Sequence, residues 1–272
     1  KVITDPFTEE GTPQYVPIWS ILGYDIFNLK LGALREGILK KYSAWLILLQ
    51  LLIILIHYIL IGKKEGTPVG KPNVLRFRWY ERLSHSVAMV TIVFLAFTGF
   101  CFLLGQNDPL GPWARVWHTW FGYAACAGVA LIFLCWVAFM FPGKGDLRWL
   151  LKAGGYLGGV KGHVPAGKFN AGQKILFWLA ILAAGTCGVT GVVMALNRNF
   201  YFLNQEIYYT LHDVSALVMI MVLIAHVYLA AFVVPHSLRA IFGGKVSDIW
   251  AREHHCLWAF KVIEDEENPS KH

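Results

Sequence analysis

Two histidines lie fourteen residues apart in one apolar segment, LHDVSALVMIMVLIAHVYLAAF, which holds His212 and His226. At about 100° per residue of an α-helix, fourteen residues fall within roughly 40° of four full turns, so both imidazoles leave the same helix face. The rise between them is about 21 Å. Because the hydrocarbon core of a bilayer is about 30 Å thick, this spacing predicts one imidazole near each membrane surface.

Two further histidines, His85 and His118, lie near the starts of two other apolar segments. Imidazole is a common ligand of haem iron, and a low-spin b-type haem takes two of them, one on each side of the ring. A lone histidine near the end of a membrane span is more often a packing or headgroup-level residue. Four histidines at matched depths on three helices instead favour two axial pairs that hold two b haems.

The composition indicates the elements that would position these histidines. The chain has 272 residues, of which 56% are hydrophobic and 15% charged, against about 25% charged in soluble domains. Five segments have the length that a bilayer requires: Ser43–Ile61, Leu83–Leu104, Trp117–Phe141, Ile175–Leu196 and Leu211–Val234. We therefore predict an all-α membrane protein, with a four-helix dihaem cytochrome b bundle plus one extra N-terminal transmembrane helix.

The predicted organisation has four parts: a periplasmic N-terminal segment (1–42), an extra transmembrane anchor helix with its linker (43–72), a four-helix dihaem core (73–243) and a cytoplasmic C-terminal tail (244–272). The net charge of +7 is concentrated in the segments after spans one, three and five. The positive-inside rule therefore predicts a cytoplasmic C-terminus and an N-terminus outside. Because the charge is explained by topology, no nucleic-acid partner is expected.

This orientation also sorts the four histidines by depth. Span two runs outward, so His85 at its start lies near the cytoplasm, whereas span three runs inward and begins near His118 at the outer side. Span five also runs inward, which makes His212 outer and His226 inner. Depth therefore predicts an outer pair of His118 with His212 and an inner pair of His85 with His226.

The remaining histidines and the small residues carry weaker predictions. His57 lacks an obvious partner, and the loop and tail histidines are expected to be solvated: His163, His236, His254, His255 and His272. Several glycines lie near the predicted sites, either to let a flat macrocycle approach the backbone or to allow close helix packing; the two interpretations stay open for Gly99, Gly122, Gly128, Gly185, Gly188 and Gly191. The five cysteines form no CxxC or CxxCH motif, which excludes covalent c-type haem.

At four segments the chain resembles the cytochrome b (gamma) subunit of membrane-bound respiratory formate dehydrogenases: RWYERLSHS, ARVWHTWFGYA, GKFNAGQKILFW and the segment around His212 and His226. The resemblance covers about residues 74–260. It implies a protein of the bacterial inner membrane that binds two haem b groups. Electrons would arrive from a periplasmic iron–sulfur subunit, fed by a molybdenum or tungsten catalytic subunit, and would leave to a quinone (menaquinone or ubiquinone) near the cytoplasmic face.

The resemblance assigns the same two haem pairs, and it assigns quinone binding to Asn170, Gly172 and Gln173 beside His226. The chain would thus be the quinone-reducing membrane subunit of a formate:quinone oxidoreductase, with no formate-oxidising site of its own.

The chain departs from this family at its N-terminus, where about 73 extra residues add a span. That helix looks like the membrane anchor usually carried by the iron–sulfur subunit, and we hypothesise that residues 1–42 clasp that subunit. Two alternatives stay open: a cytochrome b subunit of another respiratory oxidoreductase such as nickel–iron hydrogenase, or a haem-free membrane anchor.

Overall fold

The computed structural model of the chain describes residues 31–61, 70–105, 110–158, 164–200 and 205–267. Five helices in these ranges are long and apolar enough to cross a membrane, which confirms the predicted class of helical membrane protein. They span Leu31–Ile61, Trp79–Leu104, Pro112–Phe139, Ala171–Leu196 and Glu206–Val233. The first begins upstream of the predicted start at Ser43, because the segment LGALREGILKKY contains no proline to stop a helix.

Nine of the α-helices in the described residues are labelled in chain order: α1 (Lys40–Ile61), α2 (Trp79–Leu104), α3 (Pro112–Trp136), α4 (Asp146–Leu151), α5 (Ala171–Phe200), α6 (Gln205–Tyr228), α7 (Ser237–Gly243), α8 (Asp248–His254) and α9 (Cys256–Glu267). A π-helical turn at Arg35–Leu39 leads into α1, and another at Leu229–Val233 follows α6. Short 3-10 turns lie at Val137–Phe139 and Ala153–Gly155.

A four-helix bundle forms from α2, α3, α5 and α6. Helix α2 packs along α3 and α5 along α6, while contacts between α3 and α5 and between α2 and α6 close the bundle. Helix α1 packs against α6 from outside this set. Helices suit the membrane because each satisfies its own backbone hydrogen bonds where no water is present.

The end of the bundle that holds His85 is closed by a small cap. Strand β1 (Val74–Leu75) pairs antiparallel with β2 (Lys245–Val246), which joins the segment before α2 to the segment after α7. Helices α8 and α9 follow, and their Ala251 and Ala259 are fully buried. The segment that the sequence predicted as a polar cytoplasmic tail therefore packs, at least over α8 and α9, into a hydrophobic cluster under the bundle.

The prediction that His255 is solvated is wrong. Its side chain is 2% exposed, because α8 and α9 fold back and place it against the loop that precedes α5. Its Nδ1 lies 2.7 Å from the carbonyl oxygen of Gly167, and its Nε2 lies 2.9 Å from Nη2 of Arg76. His254 is half-buried against the ring of Trp250. His163 and His272 lie outside the described residues.

The expectation that His57 lacks a partner is also wrong. Its Nδ1 lies 2.5 Å from the hydroxyl of Tyr228 on α6, and its Nε2 lies 2.9 Å from the carbonyl oxygen of Tyr156. Elsewhere on α1, Gln50 donates a hydrogen bond of 2.7 Å to the carbonyl oxygen of Met221. The extra helix is thus attached to α6 by polar contacts as well as by apolar packing.

Candidate haem and quinone sites

Two of the predicted histidines face each other at one end of the bundle. His118 lies in the second turn of α3 and His212 in the second turn of α6. Their ring centroids are 6.3 Å apart, with an angle of 58° between the ring planes. We call this arrangement the first pair.

The other two histidines face each other at the opposite end. His85 lies in the second turn of α2 and His226 near the end of α6. Their ring centroids are 6.1 Å apart, and the planes are inclined by 55°. The ring of Trp136 lies 6.1 Å from that of His85. We call this arrangement the second pair. Helix α6 thus contributes one imidazole to each pair, as the spacing of its histidines predicts.

The separations of both pairs suit two ligands of a single iron. An imidazole nitrogen lies about 2 Å from a first-row metal ion that it binds and roughly 1 Å from its own ring centre, so two imidazoles on opposite sides of one ion have centroids about 6 Å apart. Among the described residues, no group of three or more histidine, cysteine or acidic side chains could hold a metal ion. Two imidazoles suffice where a porphyrin supplies the other ligands.

The first pair is held by threonine hydroxyls from neighbouring helices. Oγ1 of Thr98 on α2 lies 2.6 Å from Nδ1 of His118, and Oγ1 of Thr190 on α5 lies 3.0 Å from Nδ1 of His212. Both threonines are almost fully buried, at 2% and 3% exposure. With Nδ1 engaged in this way, Nε2 of each ring is the nitrogen left for a metal.

Close packing, one of the two interpretations that the sequence leaves open, is seen at two of the six glycines, and two others lie beside the imidazoles. A Cβ atom at Gly99 would lie 3.3 Å from Cε1 of His118, and one at Gly191 would lie 3.4 Å from Cε1 of His212. These glycines make room for the imidazoles themselves. Gly128 instead lets α3 approach the backbone of α2, and Gly188 lies against the sulfur of Cys126. At Gly122 and Gly185 an added Cβ meets nothing within 4 Å.

The two predicted quinone-binding amides form a reciprocal cap at the start of α5. The backbone N–H of Asn170 donates to Oε1 of Gln173 at 3.0 Å, and the backbone N–H of Gln173 donates to Oδ1 of Asn170 at 2.9 Å. This is the geometry of a capping box. Both amide oxygens are therefore engaged by the backbone, and the side-chain NH2 groups are the donors that remain.

The third predicted quinone residue, Gly172, packs against an indole ring. A Cβ atom there would lie 2.5 Å from Cη2 of Trp149, and a Cβ at Gly154 would collide with the same ring. Tyr156 packs edge-on against Trp149 and is hydrogen-bonded to Asn170. Burial raises the pKa of the Tyr156 hydroxyl to about 12, although the bond to Asn170 and the charge of Arg76 oppose the shift.

Buried charges lie at the same end, where the charge pattern of the sequence indicated only membrane topology. Arg76 is 3% exposed, and burial lowers its pKa to about 9 against the opposing charge of Glu81. Its guanidinium lies 5.1–5.3 Å from three aromatic rings and donates to the carbonyl oxygen of Lys168 at 2.9 Å. Burial, followed by the nearby Arg76, holds the pKa of His255 well below its usual value.

A buried carboxylate, Glu81, joins three elements beside this cluster. It is 4% exposed and accepts hydrogen bonds from the indole N–H of Trp136 at 2.7 Å, from Lys168 at 3.0 Å and from the backbone N–H of Arg78 at 2.7 Å. The last contact explains its position in the sequence, since Glu81 stands at the third residue of α2, where a carboxylate can cap the helix.

Known proteins resemble this chain over the whole bundle. The family model of the prokaryotic cytochrome b561 matches residues 76–244. The chain is 31% identical over 206 residues to the cytochrome b556(Fdn) subunit of the nitrate-inducible formate dehydrogenase of Escherichia coli (strain K12), a match that covers 71% of this chain and 93% of that subunit. It is 32% identical over 199 residues to the formate dehydrogenase cytochrome b556 subunit of Haemophilus influenzae, covering 68% and 82% of the two chains. The four candidate histidines all lie within the matched range, and the chain therefore belongs to the prokaryotic cytochrome b561 family.

Proposed function

We propose that this chain is the dihaem cytochrome b subunit of a formate dehydrogenase complex, and that it passes electrons from a periplasmic iron–sulfur subunit to quinone. The observation that carries the proposal is the presence of two imidazole pairs, with centroids 6.3 Å and 6.1 Å apart, at opposite ends of one helix. The relatives named as cytochrome b556 subunits of formate dehydrogenases support formate oxidation as the source of the electrons.

Haem b, when bound, supplies one-electron transfer at a potential that its axial ligands, its burial and nearby hydrogen bonds determine. The chain's own contribution is to hold the four imidazoles in pairs and to surround them with apolar helices. We assign His118 and His212 to the haem near the periplasm, and His85 and His226 to the haem near the cytoplasm. Along α6 the two ligands are about 21 Å apart, so the two sites together cover most of the hydrocarbon core.

We assign quinone binding to the end of the bundle that holds the second pair, with Asn170, Gly172, Gln173 and His226. Lys168 forms an ion pair with Glu81, which lies one turn from His85. This contact shows that Lys168, and with it the nearby Asn170, lies at this end of the bundle. A quinone carbonyl requires hydrogen-bond donors, and the oxygens of both amides are engaged in the cap. The NH2 group of Gln173 is therefore a suitable donor, and that of Asn170 has a second hydrogen beside the one in its bond with Tyr156. Proton uptake at the cytoplasmic face, with oxidation at the periplasmic face, would contribute to the membrane potential.

The extra helix α1 takes, in this proposal, the place of the anchor that an iron–sulfur subunit would otherwise carry. Residues 1–30 lie outside the described part of the chain. We expect the N-terminal segment to clasp the iron–sulfur subunit, so that deletion of residues 1–62 releases it from the purified complex. A complex that stays intact after this deletion would remove the clasp from the proposal and leave the electron-transfer assignment unchanged.

The haem content of the purified chain tests the proposal most directly. A pyridine haemochrome assay with a reduced-minus-oxidised spectrum should give two b haems per chain. Replacement of either His118 or His212 by alanine should remove one haem, and replacement of either His85 or His226 should remove the other. His236→Asn, at a loop histidine with a left-handed backbone, serves as the control and should retain both. A folded, haem-free protein would leave a membrane anchor as the function.

The electron donor is tested on the intact complex. Formate should reduce both haems in membranes that contain the chain with its partner subunits, and added quinone should reoxidise them. Reduction by hydrogen but not by formate would assign the chain to a hydrogenase instead. That outcome would keep the two haem sites and change only the upstream enzyme.

A further inference from the structure

A Thr-Gly dipeptide lies beside each imidazole of the first pair. The dipeptide at 98–99 is on α2 and contacts His118 of α3, and the dipeptide at 190–191 is on α5 and contacts His212 of α6. In each case the neighbouring antiparallel helix supplies the dipeptide. The same local arrangement is therefore built twice, once on each side of the first pair.

The hydroxyl of Thr98 determines which nitrogen of His118 carries the proton. Its oxygen lies 2.9 Å from the carbonyl oxygen of Phe94 and 2.6 Å from Nδ1 of His118. A hydroxyl has one hydrogen to donate, and a carbonyl can only accept. The hydroxyl hydrogen therefore goes to Phe94, and the ring donates its Nδ1–H to the hydroxyl oxygen. This assignment, inferred from the network, leaves the lone pair on Nε2.

The same reasoning holds for the second half of the arrangement. The hydroxyl oxygen of Thr190 lies 2.6 Å from the carbonyl oxygen of Thr186 and 3.0 Å from Nδ1 of His212. The threonine again donates to its own helix, and the imidazole again donates to the threonine. Both imidazoles thus present Nε2 as the free acceptor, which is the form that binds a metal.

The glycine that follows each threonine lets the ring approach the helix. The closest atom to an added Cβ would be Cε1 of His118 for Gly99 and Cε1 of His212 for Gly191, at 3.3 Å and 3.4 Å. The hydroxyl therefore fixes the Nδ1 edge of each ring, and the glycine keeps the space beside its Cε1 edge free of a side chain.

The second pair has a different environment. Nδ1 of His85 is buried and has no hydrogen-bond partner in the described part of the chain. An imidazole whose Nδ1–H is accepted by another group is a more basic ligand, and such contacts tune the bound metal. His85 therefore lacks the hydrogen bond that would raise its basicity, whereas both imidazoles of the first pair have one.

We propose that Thr98 and Thr190 are positioning residues, which fix the tautomer of His118 and His212 and lower the reduction potential of the haem that this pair holds. The inference rests on the proposed dihaem function. A more basic imidazole would favour ferric over ferrous iron, so the hydroxyl contacts would make a haem held by the first pair a better electron donor to a haem held by the second pair.

Thr98→Val and Thr190→Val test this inference, because valine keeps the β-branched shape and removes the hydroxyl. Thr91→Val and Thr186→Val are matched controls, since these threonines also donate to a carbonyl of their own helix, Thr91 at 2.8 Å and Thr186 at 2.9 Å. Equilibrium potentiometry followed by optical and electron paramagnetic resonance spectra should show one of the two haems shifted to higher potential in the Thr98 and Thr190 variants only. Thr98→Ser should restore the original potential.

Loss of one haem from Thr98→Val, with two retained by Thr91→Val, would also support the positioning role. Unchanged potentials with both haems retained would overturn the inference and leave the proposed function in place. Equal effects of Thr98→Val and Thr91→Val would overturn it too, because they would reflect general helix packing. Fewer than two haems in the unaltered protein would instead overturn the proposed function itself.

Discussion

The Nε of Arg35 lies 2.6 Å from Oδ2 of Asp213, the residue that follows His212. Arg35 precedes α1, and its guanidinium also lies 5.0 Å from the ring of Tyr209 on α6. The ion pair is partly buried, with 22% and 16% of the two side chains exposed. The additional N-terminal helix is thereby attached to the helix that carries one candidate ligand of each pair.

Arg35→Ala should weaken the attachment of α1 to α6. We expect a loss of about 1–2 kcal/mol in the free energy of unfolding, between the near-zero value of exposed ion pairs and the several kcal/mol of buried ones. Thermal unfolding of the detergent-solubilised protein measures the effect. Lys40→Ala is the control, because its pair with Glu36 is more exposed, and it should change stability by less than about 0.5 kcal/mol. Equal losses in both variants would contradict the attachment.

A β-branched side chain at Gly99 should weaken haem binding at the first pair. An added Cβ would already lie 3.3 Å from the ring of His118, and forcing larger groups into a packed site costs about 1–3 kcal/mol. Gly99→Val should therefore lower the affinity for one haem about tenfold or more, which haem titration of the apoprotein would measure. Phe97 lies on the same helix and is 62% exposed, so Phe97→Val, which changes only the outer face of α2, should bind both haems normally.

The spacing of His212 and His226, together with the charge of the loops, was sufficient to predict which histidines face each other. Each histidine is assigned a depth in the membrane from its position in its helix and the direction of that helix. Each depth then contains two histidines on different helices, which are predicted to face each other. The structure places both predicted pairs at centroid distances near 6 Å. The five spans were also predictable, because a helix that must satisfy its own hydrogen bonds in lipid has a long apolar sequence.

The burial of Arg76 and His255 was not predictable in the same way. The position of His255 in the tail indicated solvation, and Arg76 contributed only to the charge of its loop. Only the return of α8 and α9 to the bundle places the two side chains together. Contacts across 179 residues leave no periodic signal in the sequence. The cap at α5 could have been found, because Asn170 and Gln173 have the three-residue spacing of a capping box.

Glu81→Gln should destabilise the end of the bundle that holds the second pair. The glutamine would keep an oxygen that can accept from Lys168 but would remove the negative charge that pairs with its ammonium, and removal of one charge of a buried pair costs about 3–5 kcal/mol. Thermal unfolding in detergent gives the change. Glu36→Gln, which alters a carboxylate that is 56% exposed, should cost at most about 1 kcal/mol. A small effect at Glu81 would mean that Lys168 finds another partner there.

Acidification should destabilise the protein partly through His255. Burial and the neighbouring Arg76 hold the pKa of His255 well below 6.5, so this ring stays neutral in the folded state, whereas the unfolded chain takes up a proton as the pH falls through 6.5. The free energy of unfolding should therefore fall, by at most about 1.4 kcal/mol per pH unit for this group. His255→Gln should show a shallower decrease between pH 7 and pH 5. An unchanged slope would exclude His255 as the source.

Gln173→Glu can separate the capping role of Gln173 from its proposed contact with quinone. A glutamate retains the oxygen that accepts from the backbone N–H of Asn170, and its charge is favourable at a helix N-terminus, but it lacks the NH2 donor. We therefore expect unchanged stability and haem content, with an apparent quinone affinity lower by about 1 kcal/mol, roughly fivefold, for one lost hydrogen bond. Gln173→Ala should lose the same affinity and also about 1 kcal/mol of stability, because the cap is gone. Steady-state quinone reduction and thermal unfolding measure the two effects independently. The alternative outcome is that the Gln173→Glu variant has an unchanged quinone affinity and the Gln173→Ala variant is only less stable. Gln173 would then act only as a helix cap, and the hydrogen-bond donor to quinone would lie elsewhere at this end.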